Sequence, residues 1–405
     1  MKILIINYHF PPSQTAHSYR WALLRKYFKD CGHVVDVIAG GLRDINDYNS
    51  GINRVNFPGT LKKNTVDTID PNITKLNRLS VLSMLKEKVV SMLKRVYRKS
   101  FWPDGLWHWL PMALYRTFTL RKNKYDLVIS YSPTFSAVLA GYFYKRLNPN
   151  CTFIIDFGDP YSVSKEMPVN NYMLYSKLNR FAENSAFSLS KLITFTNSKT
   201  YKLYVNSYPK IKVFDISPHL VDTELFYSNE NIKNQSLISL VYIGAFHRGI
   251  REPEFTLEVL SNLKKKCPSI YVEFYGALNG VPFNSNSNIV HKGVVERKEA
   301  IDIMRNVNIL INIENEDCPM TPSKINEYIA TGKPILNFLS STGESSFSDY
   351  PLVLNVDIKT SIDDIQRFIE VSITKRLSRL DVDELLKGKT TQDIGNYYLQ
   401  AVNNK

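Results

Sequence analysis

Short, nearly continuous apolar runs alternate with stretches of helical patterning along most of this chain, and that alternation restricts it to an α/β fold with parallel sheets. The first run, Ile3-Leu4-Ile5-Ile6, leads into Pro11-Pro12-Ser13-Gln14, an amphipathic stretch over residues 20–28 and a second apolar run at 34–38 after Gly32. This is a βαβ unit. Runs at 127–130, 152–156 and 192–195 predict a doubly wound first half, since a strand covered on both faces shows no polar alternation. The pattern is irregular over 201–225, and a polar stretch at 228–236 precedes a new strand at 240–243. Strands at 271–275, 289–291 and 309–313, with helices from about Glu254 and from Arg297, then repeat the alternation.

A chain of 405 residues exceeds what one ordinary core supports. The expectation is two Rossmann-like, doubly wound parallel-sheet domains facing a central cleft. The first spans 1–225, the second 226–385, and a closing helix at 386–405 is free to pack back on the first domain. No short-period repeat or low-complexity tract interrupts this plan.

A hydrophobic fraction of 44% with 12% aromatics excludes a disordered chain. The net charge of +13 favours polyanionic partners: nucleic acid, an anionic bilayer face, or phosphorylated substrates. No nucleic-acid-binding module accompanies the charge, which sets nucleic acid aside. Part of it surrounds Leu82, Leu85, Val89, Met92 and Val96, at helical spacing among Lys86, Lys88, Lys94, Arg95, Arg98 and Lys99, and ahead of Phe101-Trp102. Residues 79–102 therefore read as a basic amphipathic helix, suited to an anionic membrane surface or to ordinary packing on the first domain. The opening apolar run is too short for a secretory signal, and the longest apolar stretch, 125–144, is broken by Asp126 and Pro133. A cytoplasmic protein is expected, soluble or peripheral on the inner face of the membrane. Cys31, Cys151, Cys267 and Cys318 lack metal-binding spacing, so free thiols and no metal site are expected.

The strongest chemical signal is Thr321-Pro322-Ser323-Lys324-Ile325-Asn326-Glu327-Tyr328-Ile329-Ala330-Thr331-Gly332-Lys333-Pro334-Ile335. It predicts a loop entering a short helix that stops at Gly332, with Pro334 opening the next strand. Backbone N–H groups from Ser323 onward and the mobile cation of Lys324 suit a diphosphate. Glu327, one turn in, is placed for ribose hydroxyls; the plainer alternative is a core helix with Glu327 on its solvent face. In Tyr242-Ile243-Gly244-Ala245-Phe246-His247-Arg248-Gly249-Ile250-Arg251-Glu252-Pro253, a strand ends at a glycine and cations follow. There the plainer alternative is Arg251 pairing with Glu252 or Glu254 at a helix start.

These segments resemble the retaining glycosyltransferases of the GT-B fold, in particular the glycosyltransferase family 4 group that includes many bacterial polysaccharide enzymes, over nearly the whole chain. The resemblance implies that Glu327, in its Glu-Tyr-x-Ala-x-Gly-Lys-Pro setting, binds the nucleotide ribose. It also implies an earlier glutamate, where Pro319 stands here, with Glu316 and Asp317 nearby in sequence. Family members place an arginine directly after the glycine and a lysine later, to neutralise the leaving diphosphate. Here Ala245 follows Gly244, and Arg248 and Arg251 come after, with Arg251 the first choice. Gly276 and Gly293 match places where the family brings backbone close to the nucleotide. Asp156-Phe157-Gly158-Asp159-Pro160-Tyr161 resembles an Asp-x-Arg-Asp-Pro-Trp phrase, with Gly158 for the arginine. Asp159 is thereby the candidate to orient or deprotonate an acceptor hydroxyl, or else a turn residue. Pro12, Ser13 and Ser132 follow strands at the carboxyl ends where open sheets bind ligands, and belong to the acceptor side.

The function implied is hexosyl transfer from a UDP- or GDP-sugar, with retention, to a hydroxyl of a glycan acceptor, lipid-linked in one version, in cell-surface polysaccharide synthesis. No cofactor or metal beyond the nucleotide sugar is expected. The alternatives are a nucleotide-sugar epimerase and, prompted by Pro319, a non-catalytic nucleotide-sugar-binding or membrane-scaffold subunit.

Overall fold

The computed structural model describes residues 1–13, 15–41, 50–56, 99–163, 169–228, 237–284, 288–316 and 324–403. Ser323, Pro319 and the amphipathic stretch from Leu82 through Arg98 lie outside these residues. The chain divides into two compact units, Met1–Ser217 with Gly395–Lys405, and Pro218–Ile394.

The first unit runs β1 (Lys2–Ile6), α1 (Ala16–Asp30), β2 (Val34–Gly40), β3 (Ile52–Val55), α2 (Leu110–Leu120), β4 (Leu127–Ser132), α3 (Phe135–Leu147), β5 (Thr152–Phe157), α4 (Tyr172–Phe187), β6 (Leu192–Phe195), α5 (Ser198–Ser207) and β7 (Phe214–Ile216). Its seven strands pair in parallel in the order β3-β2-β1-β4-β5-β6-β7. The central strands are the ones with unbroken apolar runs, Ile3 to Ile6 and Leu127 to Ile129 being fully buried. Side-chain caps set the helix starts. Thr15 accepts from Ser18 N, Asn171 from Leu174 N and Asn197 from Thr200 N. The start of α3 is held from outside its own segment, where the Asp104 carboxylate accepts from Ser136 N at 2.9 Å.

The second unit continues with α6 (Thr223–Phe226), β8 (Ile238–Ile243), α7 (Glu254–Lys266), β9 (Ile270–Tyr275), β10 (Ile289–Gly293), α8 (Arg297–Asn306), β11 (Ile309–Ile313), α9 (Lys324–Thr331), β12 (Ile335–Phe338), β13 (Val353–Val356), α10 (Ile362–Ser372), α11 (Arg379–Leu385) and the first residues of α12 (Thr391–Asn403), which belongs to the first unit from Gly395 onward. Six parallel strands lie in the order β10-β9-β8-β11-β12-β13. Among the described residues no helix is long and apolar enough to cross a membrane.

Two readings of the sequence change. The stretch 201–225 is not irregular throughout, because α5 runs to Ser207 and β7 and α6 follow. The division between units falls at Ser217/Pro218, ahead of 225/226, because Val221 bridges Thr390 and packs with Phe226 in the second unit's core. The later division lies inside α12. From Gly395 onward this helix lies against α1, with Tyr27 Oη donating to Asn396 Oδ1 at 2.7 Å and the Tyr398 ring stacked on Trp21.

An ion pair sits in the middle of the first unit. Arg20 of α1 reaches fully buried Asp156 of β5 at 3.0 Å and donates to Ser217 Oγ at 2.7 Å and Tyr398 Oη at 3.1 Å. Thr194 Oγ1 donates to the second Asp156 oxygen at 2.8 Å. Removing the cation alone leaves a buried carboxylate without its countercharge. Arg20→Met is expected to destabilise the first unit by about 3–5 kcal/mol in urea unfolding, and Arg20→Met/Asp156→Leu to recover part of that loss. A change below about 1 kcal/mol in the single variant would show that the pair is not structurally important.

Candidate functional site

Open parallel sheets bind ligands outside the carboxyl ends of their strands, where the strand order reverses. In the second unit the reversal lies between β8 and β11, and in the first between β1 and β4.

Beyond β8, a tight turn forms from His247 to Arg251, where His247 N donates to Arg251 O at 3.0 Å and Arg251 N to His247 O at 2.8 Å. The turn carries the Arg251 guanidinium back over the start of the loop. Its Nε and Nη2 donate to Asn315 Oδ1 at 3.0 and 2.6 Å, and Nη1 reaches Ala245 O at 3.4 Å. Asn315 follows β11, and Glu316 N donates to Ile250 O at 2.7 Å, so the loops on the two sides of the reversal are tied together. Glu252 accepts from Gly249 N at 2.5 Å, closing the turn on itself, while the Arg251 guanidinium turns to Asn315, Ala245 O and Tyr242. Arg248 stands exposed at the tip of the turn.

Gly276, directly after β9, has φ of +134°, and a Cβ there would fall 2.0 Å from Gly244 O. Only glycine allows these two strand ends to lie so close. Gly276 N donates to Gly293 O at 2.8 Å, and the His291 ring contacts Gly276 O at 2.8 Å.

Helix α9 ends at Thr331, before Gly332. Glu327 does not sit on its solvent face, being only 7% exposed. Its Oε1 lies 2.6 Å from Arg297 Nη1 and its Oε2 3.0 Å from Lys324 Nζ, the latter an ion pair rather than a directed hydrogen bond. Burial alone would push this carboxyl up, but Lys324 and Arg297 outweigh it and hold Glu327 below its ordinary range. Tyr328 docks the helix on the sheet by accepting from Ile243 N at 3.0 Å. Sequence reading missed Arg297 as a site residue. It was visible only as the first residue of a helix, and no local spacing rule connects it to a glutamate on a different helix.

In the first unit, Ser132 closes β4, is fully buried, and its hydroxyl has no hydrogen-bond partner among the described residues. Ser132 O accepts from Gly158 N at 2.8 Å, which brings the Gly158-Asp159 turn beside it. Pro12 is exposed and Ser13 half-buried in the loop after β1, where Ser13 N donates to Phe10 O at 3.2 Å. Asp159, 33% exposed, lies 3.8 Å from Nε2 of His17, whose Nδ1 meets Tyr131 Oη at 2.5 Å. Burial, with Arg20 next, lowers His17 to about 4, so this ring is neutral near pH 7. Burial raises Asp159 to about 6. The absence of a side chain at Gly158 has a steric reason: a Cβ would sit 1.9 Å from Tyr131 Oη.

The structure thus brings Gly244, Gly276 and Arg251 together around the end of β8, and Lys324 with Glu327 on α9. Asp159 and Ser132 are neighbours in the other unit. Among the described residues no group of three or more His, Cys, Asp or Glu is arranged to hold a metal.

No family model matches this chain, and no curated protein matches it in sequence. Solved structures do match it in fold. Sucrose-phosphate synthase from Thermosynechococcus elongatus superposes with a TM-score of 0.64 at 13% identity, covering 100% of this chain and 98% of that one. HepE (Alr3699) from Anabaena, in complex with UDP, gives 0.61 at 12% identity with 100% of both chains covered. The lipopolysaccharide outer core galactosyltransferase WaaB gives 0.55 at 10% identity, covering 100% of this chain and 99% of that one. The fold is therefore the two-domain, Rossmann-like GT-B fold.

The two carboxylates have opposite linkage to pH. Glu327, depressed in the fold, adds stability that is full above its ordinary value of 4.5 and is lost as pH falls through the folded value. Glu327→Gln should lower the melting temperature at pH 7, with the gap to wild type closing as pH falls below 4.5. Asp159 is raised from 3.8 to about 6, so its ionisation disfavours the fold as pH climbs through that window. Asp159→Asn should gain melting temperature relative to wild type between those values and hold the gain above them. Parallel melting curves with wild type, across pH 2–7 for Glu327→Gln or pH 3–8 for Asp159→Asn, would refute the corresponding assignment.

Proposed function

We propose that this protein is a glycosyltransferase that moves a sugar from a nucleotide-sugar donor to a hydroxyl of a glycan acceptor, with retention at the anomeric carbon. The observation that carries the reading is the Arg251 guanidinium, held by Asn315 at the strand-order reversal of a unit whose adjoining helix carries Lys324 and an ionised Glu327. The family resemblance at Glu327, and the UDP bound by HepE, support a nucleoside diphosphate at this place.

In this reading the bond that breaks joins the sugar's anomeric carbon to the β-phosphate oxygen, and the electron pair leaves with the diphosphate. Arg251 faces that developing charge. Because Asn315 already fixes it, little reorganisation is required at the moment of reaction, the condition under which such a charge is most effective. Lys324 supplies the second cation by turning from Glu327 to the phosphates, and Glu327 then accepts from the ribose hydroxyls. Gly244 and Gly276 let the ends of β8 and β9 close up beside the place where the nucleotide lies. The Ala245 departure fits this scheme, because the His247–Arg251 turn returns a cation to the Ala245 carbonyl.

Asp159 orients the acceptor hydroxyl and takes its proton. A carboxyl raised to about 6 is ionised yet still basic near neutral pH, and a neutral His17 beside it forms no ion pair that would depress it. Pro12 and Ser13 shape the acceptor side, with the fully buried Ser132 behind it, its carbonyl holding the Gly158-Asp159 turn. The donor is of the UDP or GDP type and the product a hexosyl-extended glycan of the cell surface, lipid-linked when made on the inner face of the membrane. No metal or further cofactor takes part.

The test is a panel of nucleotide sugars assayed with and without glycan acceptors, with products analysed. Acceptor-dependent release of one nucleoside diphosphate is expected, surviving chelator, with Arg251→Gln slower by about a hundredfold or more in kcat. A changed nucleotide sugar formed without acceptor would make the protein an epimerase. Binding without turnover across the panel would make it a non-catalytic subunit.

A further inference from the structure

Helix α4 is fastened to the first unit by its polar inner face. Asn179 accepts from the Trp102 indole at 3.1 Å and from Tyr161 Oη at 2.7 Å, and Asn170 Nδ2 donates to it at 2.9 Å. The fully buried Glu183 accepts from Tyr204 at 2.8 Å, from Tyr208 at 2.5 Å and from the Ser162 hydroxyl. These bonds fix the rotation of the helix, so its opposite face cannot turn inward. That outer face is apolar: Met173 is 91% exposed, Phe181 70%, Leu174 66% and Leu178 42%. Leu174, Leu178 and Phe181 follow helical spacing down one stripe, exposed Lys177 stands between them, and exposed Arg180 borders the stripe with its guanidinium donating to Ser207 O at 2.5 Å. The only carboxylate of the helix is the buried Glu183, so its outer face carries positive charge and no negative charge.

We propose that this face of α4 docks on an anionic lipid bilayer, with Met173, Leu174, Leu178 and Phe181 entering the headgroup boundary, Lys177 meeting lipid phosphates and Arg180 adding positive charge at the border of the stripe. Apolar anchors interleaved with cations, on a helix of low overall hydrophobicity, are what an interfacial helix requires. The electrostatics favour lipid over a second copy of the chain, since two such faces brought together would set cations against cations with no carboxylate to meet them. The chain's net charge of +13 adds attraction to an anionic surface at longer range. The surface involves none of the groups assigned to donor or acceptor chemistry, so it stands or falls apart from the transferase reading.

The experiment is co-sedimentation of the full chain with vesicles of phosphatidylcholine alone and of phosphatidylcholine with phosphatidylglycerol, at low and high salt. Binding to the anionic vesicles that weakens with salt is expected. Leu174→Ser/Phe181→Ser should reduce that partitioning by about tenfold or more, and Lys177→Gln should reduce it on anionic vesicles only. All of these positions are exposed, so the variants should melt with wild type, which keeps a loss of binding distinct from a loss of fold. Equal partitioning of wild type and the double variant would overturn the proposal, as would no binding of wild type to anionic vesicles. So would a concentration-dependent dimer in sedimentation velocity that the double variant abolishes, which would assign the face to a second copy.

Discussion

The strand-order reversal between β8 and β11 is the constraint on which the candidate site depends. Parallel winding sends β9 and β10 to one side and β12 and β13 to the other, so the loops leaving β8 and β11 diverge in sequence while their strands stay paired. The chain closes that gap with two ties, Glu316 N to Ile250 O and Arg251 to Asn315. The second tie fixes a guanidinium at the mouth of the reversal. The Gly276 backbone against the Gly244 carbonyl keeps the neighbouring strand end equally close. Geometry that in isolation would be two mobile loops becomes a fixed positive surface beside the start of α9.

The two units use their carboxylates in opposite ways. Glu327 is buried between Arg297 and Lys324, and the paired cations keep it charged against the cost of desolvation. Asp159 lies beside the neutral imidazole of His17, and burial raises it so that its proton is held to about pH 6. Pairs of carboxyls pushed apart in this manner suit separate tasks, a permanent acceptor of hydrogen bonds and a group that exchanges a proton. Tyr131 links the arrangement in the first unit. Its hydroxyl meets His17, and it occupies the space that a side chain at position 158 would need.

Much of the fold was legible in the sequence because buried central strands advertise themselves. Residues 3–6 and 127–129 are apolar without a break, 309–313 is interrupted by Asn312 alone, and all three lie mid-sheet. The edge strands β3, β7 and β13 went unread, since three or four residues with mixed exposure show neither a continuous apolar run nor clean alternation. Gly276 and Arg251 were legible as a glycine after a strand and a cation after a glycine. Arg297, Asn315 and His17 were not, because each acts on a residue distant in sequence, and no period or spacing encodes such a meeting. The α4 surface was likewise hidden. Leu174, Leu178 and Phe181 at helical spacing look like any core stripe, and only the buried Asn179 and Glu183 on the other side reveal which face is turned inward.

Titration calorimetry shows whether the end of β8 and the start of α9 hold a nucleoside diphosphate. UDP, GDP, ADP and dTDP would be titrated into wild type, Arg251→Gln and Glu327→Gln. One diphosphate should bind selectively, and each variant should weaken it by about ten- to a hundredfold, the worth of a hydrogen bond to a charged group. Binding of none of the four by wild type, or an affinity unchanged in both variants, would contradict a diphosphate site there.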